Sequence, residues 1–256
     1  MTLDPDLLAR AVAHMRELEP DAVAVVVTGS YAKDTADERS DLDLRALTTE
    51  PPRVPYRTWF VDRPGTSPLH VSAGTKTVED WLADGLGPAA WALGFPARDE
   101  ATYAWSTPEA VQALGDPPTR LHPASPPELE DFVEALVKVR RAEAAGDAVG
   151  ARWHARSAAE LAPRLLVSLN PERVVHDRRD ALDAALSASV APPGYPDALA
   201  ACLGVREASN EAVAAAATEL GRGLLELLRE RAPDVDAQPG IGAALADGTL
   251  ARQLDG

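Results

Sequence analysis

The hydrophobic pattern of the chain changes character near its middle. In the first part, apolar positions at helical spacing over residues 4–18 are followed by a β-branched apolar run at 21–28 and a strictly alternating run at 41–44. Further strand-like runs occupy 57–62 and 68–74. Short runs with period-two alternation, bounded by turn residues, predict strands. The first part is therefore predicted to be an α/β (α+β) domain with a small mixed sheet.

A proline-rich stretch around residues 115–127 separates this part from an alanine-rich second half. Such a stretch is typical of a linker. Beyond it, apolar and charged positions recur at helical period, which predicts an all-α helical bundle. We expect domains at 1–122 and 127–232, with 233–256 as a loose C-terminal extension. The predicted helices of the bundle span 128–145, 148–170, 177–188, 196–203 and 207–231.

Composition narrows the class of protein. With 256 residues, 46% of them hydrophobic, the chain is long enough for a substantial core. Its formal charge of −15 argues against nucleic-acid partners, which require a basic face. The acidic surface either attracts cations, including magnesium and amine-bearing small molecules, or serves solubility. No signal peptide and no membrane-length apolar window is evident, so we expect a cytoplasmic protein with no membrane partner.

The most informative segment combines a small-residue turn with two carboxylates. Gly29 and Ser30 follow the buried-strand run, where a glycine lets backbone N–H groups approach an anion and the serine adds a hydroxyl. Asp41 and Asp43 then alternate with leucines, so a strand would present both carboxylates on one face. Paired carboxylates suit magnesium, which normally shares such ligands with substrate phosphates. The alternatives are a solvated hairpin with surface acids or a calcium-binding loop.

In this order, the strand, the Gly-Ser turn and the acidic strand resemble the signature of the nucleotidyltransferase superfamily, which includes the DNA polymerase beta-like enzymes. The layout of a small α/β domain before a helical domain is similar to the aminoglycoside (antibiotic) nucleotidyltransferases. The resemblance implies Mg²⁺-dependent transfer of AMP from ATP, or of another nucleoside monophosphate from its triphosphate, to a hydroxyl of a small, aminoglycoside-like molecule. Asp41 and Asp43 would hold the metal, Gly29 and Ser30 would bind the β- and γ-phosphates, and Ser40 would assist through its hydroxyl.

Two departures from the family pattern affect this site. Asp34 stands where the family commonly has a second glycine, so the turn is expected to be stiffer or differently shaped. His70 stands where the family usually has a third carboxylate. Three interpretations remain open: a working site in which His70 is altered machinery, an alignment in which Asp62 or Glu79 supplies the acid, and an inactive enzyme.

The first predicted helix of the second half carries Glu134 and, one turn later, Lys138. This spacing resembles the glutamate base and phosphate-binding lysine of the aminoglycoside nucleotidyltransferases. The resemblance gives Glu134 the role of general base and Lys138 that of a triphosphate ligand. The alternative is a surface i,i+4 ion pair, worth about 0.2 to 0.5 kcal/mol. Glu130 and Glu160 are further candidate bases.

The partners implied are therefore a nucleoside triphosphate and a small-molecule acceptor, and a homodimer is a candidate assembly of the chain. Two other functions compete with small-molecule nucleotidyl transfer. One is a non-catalytic nucleotide-binding or regulatory protein on the same fold, and the other is an antitoxin-like protein adenylyltransferase. The tryptophans of this aromatic-poor chain, among them Trp81, Trp91 and Trp153, are predicted to fill the core rather than to stack on a ligand.

Overall fold

A computed structural model describes residues 3–84, 93–114, 120–122, 129–235 and 239–254 of the chain. Its internal contacts divide the chain into two compact units. The first unit comprises Met1–Gly87 and Arg98–His122, and the second comprises Pro88–Ala97 and Pro123–Gly256. The predicted fold class, a small mixed sheet followed by a helical domain, is confirmed.

The first unit opens with a helix that covers one face of a sheet. Helix α1 (Pro5–Leu18) begins after Asp4, whose side chain accepts a 2.8 Å hydrogen bond from the backbone N–H of Asp6. Such a cap satisfies a backbone donor that the helix itself cannot pair. Its buried residues, Ala11, Val12 and Met15, pack with the apolar side chains of the sheet.

The sheet of the first unit is mixed, in the order β3-β4-β2-β1-β6. Within this sheet, β2 and β4 run parallel and the other three strand pairs run antiparallel. Strand β3 follows β2 in the sequence but lies at the edge of the sheet, where it pairs with β4. The strands are β1 (Ala22–Thr28), β2 (Leu42–Thr48), β3 (Tyr56–Val61), β4 (Leu69–Thr77) and β6 (Thr102–Ser106). The remaining elements of this part are α2 (Gly29–Ala32), α3 (Val78–Asp84), β5 (Ala97–Asp99), α4 (Pro108–Leu114) and β7 (Arg120–His122), with β5 paired to β7.

Alternation along β2 gives the sheet two chemically different faces. Leu42 and Leu44 are fully buried in the core that α1 covers. The residues between and beside them, Asp41, Asp43 and Arg45, are only half-buried. Successive side chains of a strand point to opposite faces, so these three polar residues share the face away from α1.

The second unit is a bundle with an alanine-rich core. Ala155, Ala158, Ala159 and Ala162 are fully buried on one helix, where small side chains let neighbouring helices approach closely. Gly221 serves the same purpose, since a Cβ there would overlap Leu136. Among the described residues, the main helices are α5 (Leu129–Ala144), α6 (Ala148–Leu166), α7 (Arg178–Leu186), α8 (Tyr195–Leu203) and α9 (Asn210–Arg231).

The C-terminal segment differs from its prediction. Residues after 232 were expected to form a loose extension, yet two short helices occur there, α10 (Pro239–Ala246) and α11 (Thr249–Arg252). Leu245, Leu250 and Leu254 are buried in the core of the helical unit. Burial of these three leucines outweighs the weak helix preference of the glycines in this segment.

The tryptophans and the single cysteine differ in their exposure to solvent. Trp81 is 1% exposed and lies in a core, as predicted, whereas Trp153 is 69% exposed. Trp91 lies outside the described residues. Burial raises the pKa of the Cys202 thiol to about 12, which fits a packing role. None of the helices that the structure describes has the length and apolar character required to cross a membrane.

Candidate functional site

The turn after β1 is shaped by a glycine in the left-handed conformation. Gly29 has φ +67°, and a Cβ at this position would overlap the Asp43 carboxylate. The backbone of the turn therefore lies directly against that carboxylate, an approach that only glycine allows. Ser30 follows as the second residue of α2, and its carbonyl oxygen accepts a 3.0 Å hydrogen bond from the backbone N–H of Thr35.

The two carboxylates of the acidic strand lie on neighbouring positions of one sheet face. Asp43 is registered between Thr28 of β1 and Ser72 of β4. Burial is the main cause that raises the pKa of Asp43 above its usual value, and the negative charge of Asp41 adds to it. Arg45, His70 and Lys33 act in the opposite direction. A half-buried carboxylate beside a second one is a favourable environment for a cation.

His70 is the side chain that β4 places beside this pair. Its Nδ1 lies 3.6 Å from Asp41 Oδ2, and its Nε2 lies 2.6 Å from Thr58 Oγ1 on β3. The ring of Phe60 is tilted against the imidazole at a centroid distance of 5.2 Å. Within the residues that the structure describes, no group of three or more His, Cys, Asp or Glu side chains is arranged to hold a metal.

The two alternative acids take other positions. Glu79 lies in the first turn of α3, beyond the end of β4 opposite to His70. At about 3.3 Å per strand residue, that end is more than about 20 Å away. Asp62 follows the last residue of β3, and its carbonyl oxygen accepts a hydrogen bond from Arg10. His70 contacts Asp41, which is compatible with its alignment at the third-carboxylate position, and the choice among the three interpretations stays a prediction.

The loop between the turn and β2 is organised by its own polar side chains. The Ser40 hydroxyl donates to Asp37 Oδ1 at 3.1 Å and accepts from the Asp37 backbone N–H at 2.9 Å. Hydrogen bonds from Arg39 and Ser40 lower the pKa of Asp37. Ser40 is therefore engaged in holding the loop, and a phosphate would have to compete for its hydroxyl proton. Asp34 has φ +56°, which lies in the left-handed region that favours glycine.

The predicted residues of the second half belong to the helical unit. Lys138 Nζ lies 2.9 Å from Glu134 Oε1, and both side chains are about half exposed on α5. Glu160 forms a similar ion pair with Arg156 at 2.9 Å on α6, while Glu130 is exposed. These acids all remain accessible to a ligand.

Two family models match the chain. One is described as "Nucleotidyltransferase domain" and matches residues 8–80, and the other is described as "Nucleotidyltransferase, substrate binding domain" and matches residues 128–230. The chain belongs to the nucleotidyltransferase superfamily. Because the second model is of the Ant-IIb type, this nucleotidyltransferase lies near the aminoglycoside nucleotidyltransferases.

A solved structure is also similar to this nucleotidyltransferase. It is the crystal structure of a nucleotidyltransferase-like protein from Exiguobacterium sibiricum 255-15, at 16% sequence identity and a TM-score of 0.42. The match covers 88% of this chain and 80% of that chain. Comparison with curated proteins gives no match.

Some residues around the carboxylates of this nucleotidyltransferase were not anticipated from sequence. Arg45 continues the Asp41 and Asp43 alternation, and the missing side chain of Gly74 on β4 leaves room for its guanidinium. The alternation of Asp41 and Asp43 with leucines is the sequence signal that predicts Arg45 on the same face. Thr58 and Ser72 reach the same face only through the pairing of β3 with β4, which is a long-range property with no local signature.

Proposed function

We propose that this nucleotidyltransferase transfers AMP from ATP, with Mg²⁺, to a hydroxyl of an amine-bearing small molecule of the aminoglycoside type. The observation that carries the proposal is the position of Asp41 and Asp43 on one sheet face, against the Gly29 turn. The acidic charge of −15 favours a cationic acceptor over a polyanionic one.

The donor set around Asp43 fits a hard dication. Both ligands are carboxylate oxygens, and burial together with the charge of Asp41 raises the pKa of Asp43, an effect that a bound dication would oppose. Mg²⁺ is commonly held by one or two carboxylates, with waters and substrate phosphates completing its shell. When bound, the metal supplies charge stabilisation for the phosphoryl oxygens. The side chains that would hold it are Asp41 and Asp43.

The remaining groups of the chain bind and orient the substrates. The backbone of Gly29 and Ser30, with the Ser30 hydroxyl, donates hydrogen bonds to the β- and γ-phosphates, and Lys138 adds a positive charge. The acceptor oxygen forms a bond to the α-phosphorus while the bond to the pyrophosphate oxygen breaks. Glu134 takes the proton of the acceptor hydroxyl, and pyrophosphate leaves with the electron pair. His70, in contact with both Asp41 and Thr58, positions Asp41.

Pyrophosphate release tests this proposal. The full chain is incubated with each nucleoside triphosphate, Mg²⁺ and a panel of aminoglycosides, and we expect release with ATP and at least one acceptor. Asp41→Asn and Asp43→Asn should each lower the rate by at least about 100-fold, because each removes one of the two metal-binding carboxylates. Asp21→Asn is the matched control, since Asp21 is exposed at the opposite end of β1 and should leave the rate unchanged.

Two results would argue against the proposal. Absence of release with every triphosphate and acceptor, together with absence of metal-dependent ATP binding, would contradict the enzymatic function. ATP binding without any release would favour a non-catalytic nucleotide-binding protein. Wild-type rates in both aspartate variants would exclude these two residues from catalysis.

A further inference from the structure

Two exposed aromatic rings lie on the edge of the sheet next to the carboxylates. Tyr56 and Phe60 of β3 are 58% and 68% exposed, in a chain with only 5% aromatic residues. Both lie on the face that carries His70, because the Tyr56 hydroxyl contacts the Ser72 hydroxyl and the Phe60 ring contacts the imidazole. Exposing two large apolar side chains to water has a cost, and rings held in place beside a polar site are typical of ligand contacts.

These aromatic residues are connected to the carboxylates by direct contacts across the sheet. Phe60 contacts His70, and His70 contacts Asp41. Thr58, between the two aromatic residues on the same face, fixes the other side of the imidazole at 2.6 Å. The face therefore continues from the Gly29 turn at β1, through Asp43 on β2 and His70 on β4, to the rings on β3. Three strand intervals separate its ends, or about 14 Å.

The order of these groups assigns the two ends to different substrates, and this step rests on the proposed function. In nucleotidyl transfer the attacking and leaving oxygens lie roughly in line through the phosphorus. With the leaving pyrophosphate at the Gly29 turn and the phosphorus at the Asp41 and Asp43 carboxylates, the acceptor hydroxyl lies on the β4 side. The body of the acceptor then reaches β3.

We infer that Tyr56 and Phe60 form the acceptor subsite, in which they stack on the face of a saturated ring that bears ammonium groups. Aromatic rings attract cations through their π-face and pack against the C–H face of a ring. In the protein without Mg²⁺, the neighbouring Asp41 and Asp43 attract the same positive charges. A linear polyamine would pair its ammonium groups with the carboxylates but would not stack on the aromatic rings. A neutral cyclic polyol would stack on the rings but would not pair with the carboxylates.

The test compares three probes by calorimetry on the full chain, without ATP. Tobramycin carries both rings and ammonium groups, spermidine carries ammonium groups alone, and inositol carries a ring alone. We expect tobramycin to bind most tightly, and Phe60→Leu and Tyr56→Leu each to weaken it about tenfold. Spermidine binding should be unchanged in both variants, because leucine removes the π-face and leaves the carboxylates intact.

Three further measurements separate stacking from loss of structure. Tyr56→Phe keeps the ring and loses only the hydroxyl contact with Ser72, so it should bind tobramycin nearly as the wild type does. Leu82→Ala removes an exposed apolar side chain from α3 and should change nothing. In steady-state assays with an active acceptor, Phe60→Leu should raise the KM of the acceptor about tenfold and leave the KM of ATP unchanged.

The outcomes distinguish this inference from the proposed function. Tobramycin binding that is lost in Phe60→Leu, in a protein that never releases pyrophosphate, would support the subsite and contradict the enzyme. Pyrophosphate release with unaltered tobramycin binding and acceptor KM in both leucine variants would overturn the subsite and leave the enzyme intact. A rise in the KM of ATP alone would mean that the rings stack on the nucleobase, and failure of tobramycin to bind would overturn the subsite as well.

Discussion

At the scale of a single residue, three features of the structure define the environment of the Asp43 carboxylate. Its carboxylate is half-buried, lies near the carboxylate of Asp41, and lies against a glycine whose Cβ it would overlap. Burial and the neighbouring negative charge both disfavour the ionised form. The folded state without metal therefore carries a destabilising charge at the position where the proposed reaction requires one.

We expect Asp43→Asn to raise the free energy of unfolding at pH 7, even though it removes activity. Because the pKa of Asp43 is higher in the folded state than its usual 3.8, the ionised side chain lowers stability above that raised pKa. The advantage of the variant should be no more than about 1 kcal/mol, since solvent screens the charges. It should shrink as the pH falls through the raised pKa and vanish below 3.8, where the aspartate is neutral in both states.

Urea denaturation at pH 7, 5 and 4, with and without Mg²⁺, measures this effect. Mg²⁺ should stabilise the wild type by binding the folded state and should stabilise Asp43→Asn much less. Asp21→Asn, at an exposed position, controls for loss of a negative charge. A variant that is less stable than the wild type at pH 7 would show that Asp43 is held by interactions that favour its charge.

At the scale of secondary-structure elements, one polar cluster fastens α1 to the sheet. Glu19, directly after α1, forms an ion pair with Arg57 of β3 and accepts a 3.2 Å hydrogen bond from the Thr75 hydroxyl of β4. The Glu19 side chain is only 12% exposed. The cluster thus joins the helix to the strand that bears Tyr56 and Phe60.

We expect Arg57→Ala to lower the free energy of unfolding by about 2 to 3 kcal/mol, because it leaves Glu19 buried without a charge partner. Thr75→Val should cost about 1 kcal/mol, since it removes one hydrogen bond. Arg206→Ala is the control, because the Arg206–Asp197 pair is exposed and should contribute less than about 1 kcal/mol. Equal effects of Arg57→Ala and Arg206→Ala in urea denaturation would mean that burial adds nothing to the pair.

The sequence predicted the elements better than it predicted their neighbours. The alternation of Leu42 and Leu44 with acids located β2, and the helical period located α5 to α9, because both signals lie within the element. The packed C-terminal leucines and the Thr58–His70 contact depend on residues that are distant in the chain, so no local sequence pattern predicts them. The roles of Glu134 and Lys138 stay predictions, since an i,i+4 ion pair on α5 is compatible with either interpretation.

At the scale of the whole molecule, the excess of acidic residues should govern how the acceptor binds. Asp and Glu number 40 against 25 Lys and Arg. We expect the KM of an amine-bearing acceptor to rise several-fold when KCl is raised from about 50 to about 500 mM, because salt screens long-range attraction. An acceptor of similar size without amines should show little change. Equal salt effects on the two acceptors would exclude electrostatic attraction as a source of affinity.

The order of the strands places two proposed functions, metal binding and acceptor recognition, on different strands, so that evolution or protein engineering could change them independently. Asp41 and Asp43, the acids that we propose hold the metal, belong to the β2 side of the sheet interior, where β2 has a neighbour on both sides, whereas Tyr56 and Phe60 are carried by β3 at the edge of the sheet. A border strand has only one ladder to maintain, so its side chains can be exchanged with little disturbance to the interior. With the subsite that we propose on β3, acceptor choice could diversify through that strand without changing the residues proposed for the chemical step.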